Sequence, residues 1–128
     1  MIFVDTNVFM YAVGRVHPLK SEAREFFARA VAATPRPGLV TSAEVLQELL
    51  HVYLPVNRHH TLSAALELVQ RVTDEIWPLE ADDVRVAHEL ASEHPTLGAR
   101  DLIHLACCRR RGVDRIQTFD RALAGVFE

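Results

Sequence analysis

Four carboxylates stand where the chain passes from an apolar, strand-like run into a helix or lie in a helix's first turn: Asp5, Glu44, Asp101 and Asp120. Asp5 is the most constrained of them. It is surrounded in sequence by Ile2, Phe3, Val4, Val8 and Phe9, and an ionised carboxylate in such surroundings must be paired, hydrogen-bonded or metal-bound. Four acids gathered in one place raise one another's pKa unless something neutralises them. Mg²⁺ or Mn²⁺ would do so, because hard cations prefer oxygen ligands. Mg²⁺ held by a few carboxylates also keeps waters that can meet a phosphate and supply a nucleophile. The chemistry implied by the set is metal-assisted hydrolysis of a phosphodiester.

Each acid taken alone has a structural reading as well. Thr41-x-x-Glu44 has the form of a capping box, Asp120 of a helix N-cap, and Asp101 of a complement to a helix dipole. Asp5 can bond the amides of Thr6 or Asn7. Only their meeting at one edge of a sheet argues for a site, so the elements that carry them decide the matter.

The first strand ends at Asp5. Ser21 to Ala33 carries Ala23, Phe26, Phe27 and Ala30 at helical spacing and stops before Thr34-Pro35-Arg36-Pro37-Gly38. A short apolar segment, Leu39-Val40, runs into Thr41-Ser42-Ala43-Glu44 and a helix bearing Val45, Leu46, Leu49, Leu50 and Val52, ended by Pro55. Thr61 is placed to cap a third helix with Leu62, Ala65, Leu66, Leu68 and Val69, leaving a hairpin loop around Pro55 to His60. Ile76-Trp77-Pro78-Leu79 reads as a third strand. Helices follow from about Ala81 to Glu93 and from about Ala99 to Arg111, closed by Pro95 and Gly112. Arg115 to Phe119 is the last strand, and Asp120 starts a short terminal helix.

Strands separated by helices imply an α/β fold: a parallel sheet of four or five strands, covered on both faces, with right-handed crossovers. In that layout Asp5, Glu44 and Asp120 share one sheet edge. Asp101 opens a helix that can point there, with His104 one turn on and on roughly the same face.

The chain has 128 residues, of which 49% are hydrophobic, enough for one domain, 1–128, with a sizeable core. No stretch approaches the roughly 20 apolar residues of a membrane span, and a soluble, cytoplasmic protein is expected. The net charge of −3 does not exclude a nucleic-acid partner: with the four site acids set apart from the 17, the remainder nearly balances the 14 bases. The adjacent Cys107 and Cys108 suit neither a disulfide nor the spaced pairs of a zinc site.

Asp5-Thr6-Asn7, Thr41-Ser42-Ala43-Glu44-Val45-Leu46-Gln47-Glu48-Leu49, Ala99-Arg100-Asp101-Leu102-Ile103-His104-Leu105-Ala106 and Thr118-Phe119-Asp120 together resemble the PIN domain. Their order, spacing and total length look like the VapC toxin ribonucleases, a resemblance that covers essentially the whole chain. It implies a three-layer α/β/α domain and a Mg²⁺-dependent endoribonuclease, with Mn²⁺ able to substitute. Its acidic quartet would be Asp5, Glu44, Asp101 and Asp120, with Asp5 and Asp101 as direct metal ligands and Asn7 and Thr118 as supporting residues. It further implies a homodimer and a VapB-type antitoxin. One departure is that Ala122 stands where many members carry another acid.

Other readings fit parts of the pattern. A haloacid-dehalogenase-type phosphotransferase wants a second acid two residues after the first, where this chain has Asn7. A phospho-receiver domain needs a lysine after the last strand, and the only lysine is Lys20. A catalytically silent PIN-like module that binds RNA or protein is the alternative from another class. Arg109-Arg110-Arg111 could touch RNA, though cations in a last helical turn are expected from the dipole alone. His104 could support Asp101 or sit at a core margin. Leu46, Leu49, Leu50 and Val52 exceed what one buried stripe needs and fit a dimer or antitoxin surface as well as burial.

Overall fold

In the computed structural model, which describes residues 1–128, the apolar strand β1 (Ile2–Val4) lies at the heart of a four-stranded sheet. Its neighbours are β2 (Leu39–Ser42) and β4 (Ile116–Gln117), and β3 (Glu75–Trp77) pairs with β2. All pairings are parallel, in the order β3-β2-β1-β4. Parallel strands require crossovers, and helices flank the sheet accordingly. Every residue of β1 and β2 is buried, as expected of strands covered on both faces.

The helices are α1 (Thr6–Val13), α2 (Pro18–Ala32), α3 (Ala43–Tyr53), α4 (His59–Val72), α5 (Ala81–Leu90), α6 (Ala99–Arg110) and α7 (Arg121–Gly125). No helix is long and apolar enough to cross a membrane. Helix α1 is absent from the reading by periodicity, which takes the N-terminal apolar run as a strand and finds no helix before Ser21. Asp5 breaks that run by capping: its side chain accepts from the Thr6 amide, and Val8, Phe9 and Ala12 then form a buried helical face. A short apolar run fits either state until its cap is recognised.

Several boundaries also differ from expectation: α2 begins at Pro18 instead of Ser21, β3 covers Glu75–Trp77 instead of Ile76 to Leu79, and β4 is shorter than Arg115 to Phe119. Helix α4 begins at His59, with Arg58 before it. Thr61 therefore lies inside the first turn, where its hydroxyl accepts from Arg58 Nη2 at 3.1 Å. Helix α5 stops at Leu90, three residues short of Glu93. At the other end of α6, Gly112 takes φ +69°, the left-handed conformation that ends helices cheaply only with glycine.

Helix α5 is fastened to α6 by charge. Asp83 is fully buried and accepts from Arg110 Nη1 at 2.9 Å, Arg111 Nη1 at 2.7 Å and the Glu80 amide at 2.8 Å. Arg111 also donates to the carbonyls of Cys107 and Pro78 and lies over the Trp77 ring at 5.1 Å. Burial opposes the charge on Asp83, but bonds from Arg111, the Glu80 amide and Arg110 outweigh it and bring the carboxyl down to about 2. Two members of the arginine triplet are thus committed to holding the domain together, and only Arg109 points elsewhere. Asp83→Ala leaves both guanidiniums without their buried partner. It should cost about 3 kcal/mol in urea denaturation at pH 7, the lower end for breaking a buried pair because the arginines keep some access to water. A loss below 1 kcal/mol would show that this network is not structural.

Candidate metal centre

The chain lays down β1, β2 and β3 outward in one direction and then returns to add β4 on the other side of β1. The crevice beyond the carboxyl ends of β1 and β4 is therefore a topological switch point, where open α/β sheets bind ligands. Asp5 is the first residue after β1, and its amide donates to Gln117 of β4 at 3.0 Å. Its carboxylate is buried at that crevice, 5% exposed.

The strand ends and the first turn of α1 hold this carboxylate from several directions. Oδ1 accepts from the Thr6 amide at 2.7 Å, and Oδ2 accepts from the Thr118 hydroxyl at 2.6 Å. Thr118 Oγ1 in turn accepts from Asn7 Nδ2 at 3.3 Å and from the Asp120 amide at 3.0 Å. Asn7 Oδ1 accepts from the Phe119 amide at 3.1 Å. Asn7 and Thr118 are thus joined to Asp5 in one network across β1 and β4. Asp120 caps α7 through Oδ1 and Leu123 N at 3.1 Å, so its structural reading is realised in the same place.

The glutamate brought to Asp5 is Glu48. Its Oε2 accepts from Thr6 Oγ1 at 2.7 Å, and its Oε1 lies 2.7 Å from His104 Nε2. His104 Nε2 is also 3.5 Å from Asp5 Oδ1. Asp5, Glu48 and His104 each place a ligand atom within 4.8 Å of the others. Glu44 is outside this group; it is half-buried in the first turn of α3. The capping box that is its structural reading does not form either: Ser42 is the N-cap of α3, and the Thr41 hydroxyl donates to the Val4 carbonyl at 2.9 Å. Glu44 and Glu48 are one helical turn apart on one face. Spacing alone cannot rank them; the reach from Thr6 and His104 does.

The electrostatics match this geometry. Burial, followed by the charges of Asp5 and Asp120, pushes Asp101 up to about 6, so Asp101 shares the field of the group without belonging to its tightest part. Burial raises Asp5 despite the opposing pull of His104 and Thr118. On Glu48 burial also works upward, yet His104, Thr6 and Arg100 together leave it lowered. Burial disfavours a charged His104, but Glu48, Asp5 and Asp101 beside it raise its pKa on balance. Glu48 Oε1 and both ring nitrogens of His104 are buried without a hydrogen-bond partner; the 2.7 Å approach is off the line a hydrogen bond requires. Orphaned donor atoms converging beside two further acids fit a divalent cation well.

The raised pKa of Asp101 makes the stability of the domain depend on pH. Its folded value lies above the unfolded 3.8, so the folded state holds more protons between about 4 and 6, and stability of the metal-free protein falls as pH rises through that window. Asp101→Asn should lose its advantage at pH 4 and gain one at pH 7. Denaturation of both proteins with chelator present measures this, and a pH-independent difference would contradict it.

The sequence of the chain matches the PIN domain model over residues 2–126. It belongs to the PIN domain family. Among its relatives, Ribonuclease VapC23 of Mycobacterium tuberculosis H37Rv is 62% identical over 127 residues, 99% of this chain and 98% of that protein. Ribonuclease VapC13 of the same strain is 39% identical over 121 residues, 94% and 91% of the two chains. The crystal structure of Mycobacterium tuberculosis VapC20, described as a sarcin-ricin loop cleaving toxin, superposes with a TM-score of 0.81 at 22% identity, covering 98% of this chain and 95% of that one. A chain of a toxin–antitoxin complex from Klebsiella pneumoniae gives 0.66 at 20% identity over 98% and 92%. At that identity the superpositions establish the three-layer PIN-like fold.

Proposed function

We propose that this protein is a metal-dependent endoribonuclease of the VapC type, the toxin of a toxin–antitoxin pair, acting through a single domain, 1–128. The observation that carries the reading is the buried cluster of Asp5, Glu48 and His104 at the β1–β4 switch point, with Asp101 in the field of Asp5 and Asp120, in a chain closely similar to named ribonucleases. Asp5 and Asp101 would hold the ion, Mg²⁺ or Mn²⁺. Glu48 takes the part first assigned to Glu44 and, with Asp120, completes the pocket and positions the attacking water. Thr118 and Asn7 keep the Asp5 carboxylate oriented, and Thr6 does the same for Glu48.

When bound, the ion would polarise a phosphoryl oxygen of the substrate and activate a water. The protein's own share is to fix carboxylates that repel one another, so that their charge is ready for a cation and a phosphate. Cleavage leaves a 5′-phosphate and a 3′-hydroxyl. A VapB-type antitoxin restrains the enzyme in the cytoplasm, and the active form is a homodimer. The exposed apolar residues Leu50, Leu54 and Val56 at the end of α3 and just beyond it supply surface for such partners.

The test is incubation of antitoxin-free protein with total RNA in Mg²⁺, in Mn²⁺ and in chelator, followed by mapping of the new ends. Discrete metal-dependent cuts bearing 5′-phosphates are expected. Intact RNA, with protein that is folded and metal-bound, would favour a silent binding module.

A further inference from the structure

We propose that His104 is itself a ligand of the ion at this centre: its Nε2 completes a nitrogen-and-oxygen face with Asp5 Oδ1 and Glu48 Oε1, giving a site that prefers Mn²⁺ or Co²⁺ to Mg²⁺. The inference rests on the metal-dependent reading above and adds to Asp5 and Asp101 two ligands that the reading does not give the ion, His104 and, beside it, Glu48 Oε1.

Three observations carry it. His104 is completely buried, yet its Nε2 has no hydrogen-bond partner, although Glu48 Oε1, equally unpartnered, is only 2.7 Å away. Two polar atoms that close, neither aimed along the line between them, behave as neighbours on one coordination sphere. Adjacent ligands at bond lengths of about 2.1 Å lie about 3 Å apart around an octahedral ion. The distances from Nε2 to Glu48 Oε1 and Asp5 Oδ1, 2.7 and 3.5 Å, straddle that value.

The ring is also held in place before any ion arrives. It packs against Phe3 of β1 at 5.4 Å between centroids, and the carboxylates facing it are oriented by the Thr6 amide, the Thr6 hydroxyl and the Thr118 hydroxyl. Such outer contacts are what fix ligand direction in metal sites. Ligation leaves the ring's one proton on Nδ1, so one nitrogen is orphaned instead of two. A proton held at Nε2 without metal is displaced on binding, as for other ligands. Imidazole nitrogen favours first-row transition cations, whereas carboxylate and water alone suit Mg²⁺.

The experiment is pulsed electron paramagnetic resonance of Mn²⁺ bound to the full chain and to His104→Gln, with Mn²⁺ and Mg²⁺ affinities measured by titration. A directly bound nitrogen should appear in the wild-type spectrum and vanish in the variant. Mn²⁺ affinity should fall at least about tenfold in the variant, and Mg²⁺ affinity by much less. Bound Mn²⁺ with an oxygen-only signature, or a nitrogen signal that survives His104→Gln, overturns the proposal while leaving the nuclease reading intact. Absence of any bound ion overturns both. The wild-type spectrum decides alone if the variant does not fold.

Discussion

Asp5→Asn lowers RNA cleavage by at least about a thousandfold and leaves the fold intact. The figure follows from a metal's contribution of several kilocalories per mole to the transition state, with each 1.4 kcal/mol worth about tenfold in rate. Asparagine keeps the size of the side chain and an oxygen for the Thr6 amide at the cap of α1, and the loss is confined to the bond that the Thr118 hydroxyl donates to Oδ2. What is lost is charge at the centre of the group. Asp101, held up at about 6 partly by Asp5, then returns toward the ordinary carboxylate range. The metal-free variant should consequently melt at a higher temperature than wild type at pH 7. Undiminished cleavage by the folded variant would remove Asp5 from its place in the mechanism.

The second large effect separates two glutamates on one helix face. Glu48→Gln keeps an acceptor for Thr6 Oγ1 but withdraws the charge beside His104 and Asp5, and should reduce the cleavage rate by about a hundredfold or more. Glu44→Gln should change it only a few-fold, the effect of a partly exposed charge worth about 1 kcal/mol or less. Single-turnover cleavage of one defined RNA compares the two directly. The reverse order would return the fourth carboxylate to Glu44 and imply a shift of α3 along its axis.

The difference between these glutamates shows where the sequence was legible and where it was not. The four parallel strands, the placement of Asp5 and Asp120 after strands, and Asp101 in a first turn all follow from local pattern, because caps and apolar periodicity are local. Helix α1 was hidden, since the residues that read as strand also form its buried face once Asp5 caps it. The choice between Glu44 and Glu48 depends on contacts with Thr6 and His104, 42 and 56 positions from Glu48 along the chain, which no window contains. His104 was visible one turn from Asp101, but its burial against Phe3 and its unpartnered nitrogens are tertiary facts. The Asp83 network escaped notice for the same reason: its arginines belong to a charge run that reads equally well as a solvated helix end.

The most direct test of the central claim is an anomalous-scattering map from crystals of the protein grown with Mn²⁺. The account predicts one ion at the β1–β4 crevice, within about 2.3 Å of an Asp5 carboxylate oxygen, with Glu48 facing the same ion and Glu44 out of its reach. A well-ordered protein whose crevice holds no ion at saturating Mn²⁺, or whose ion is held by other residues, would contradict it.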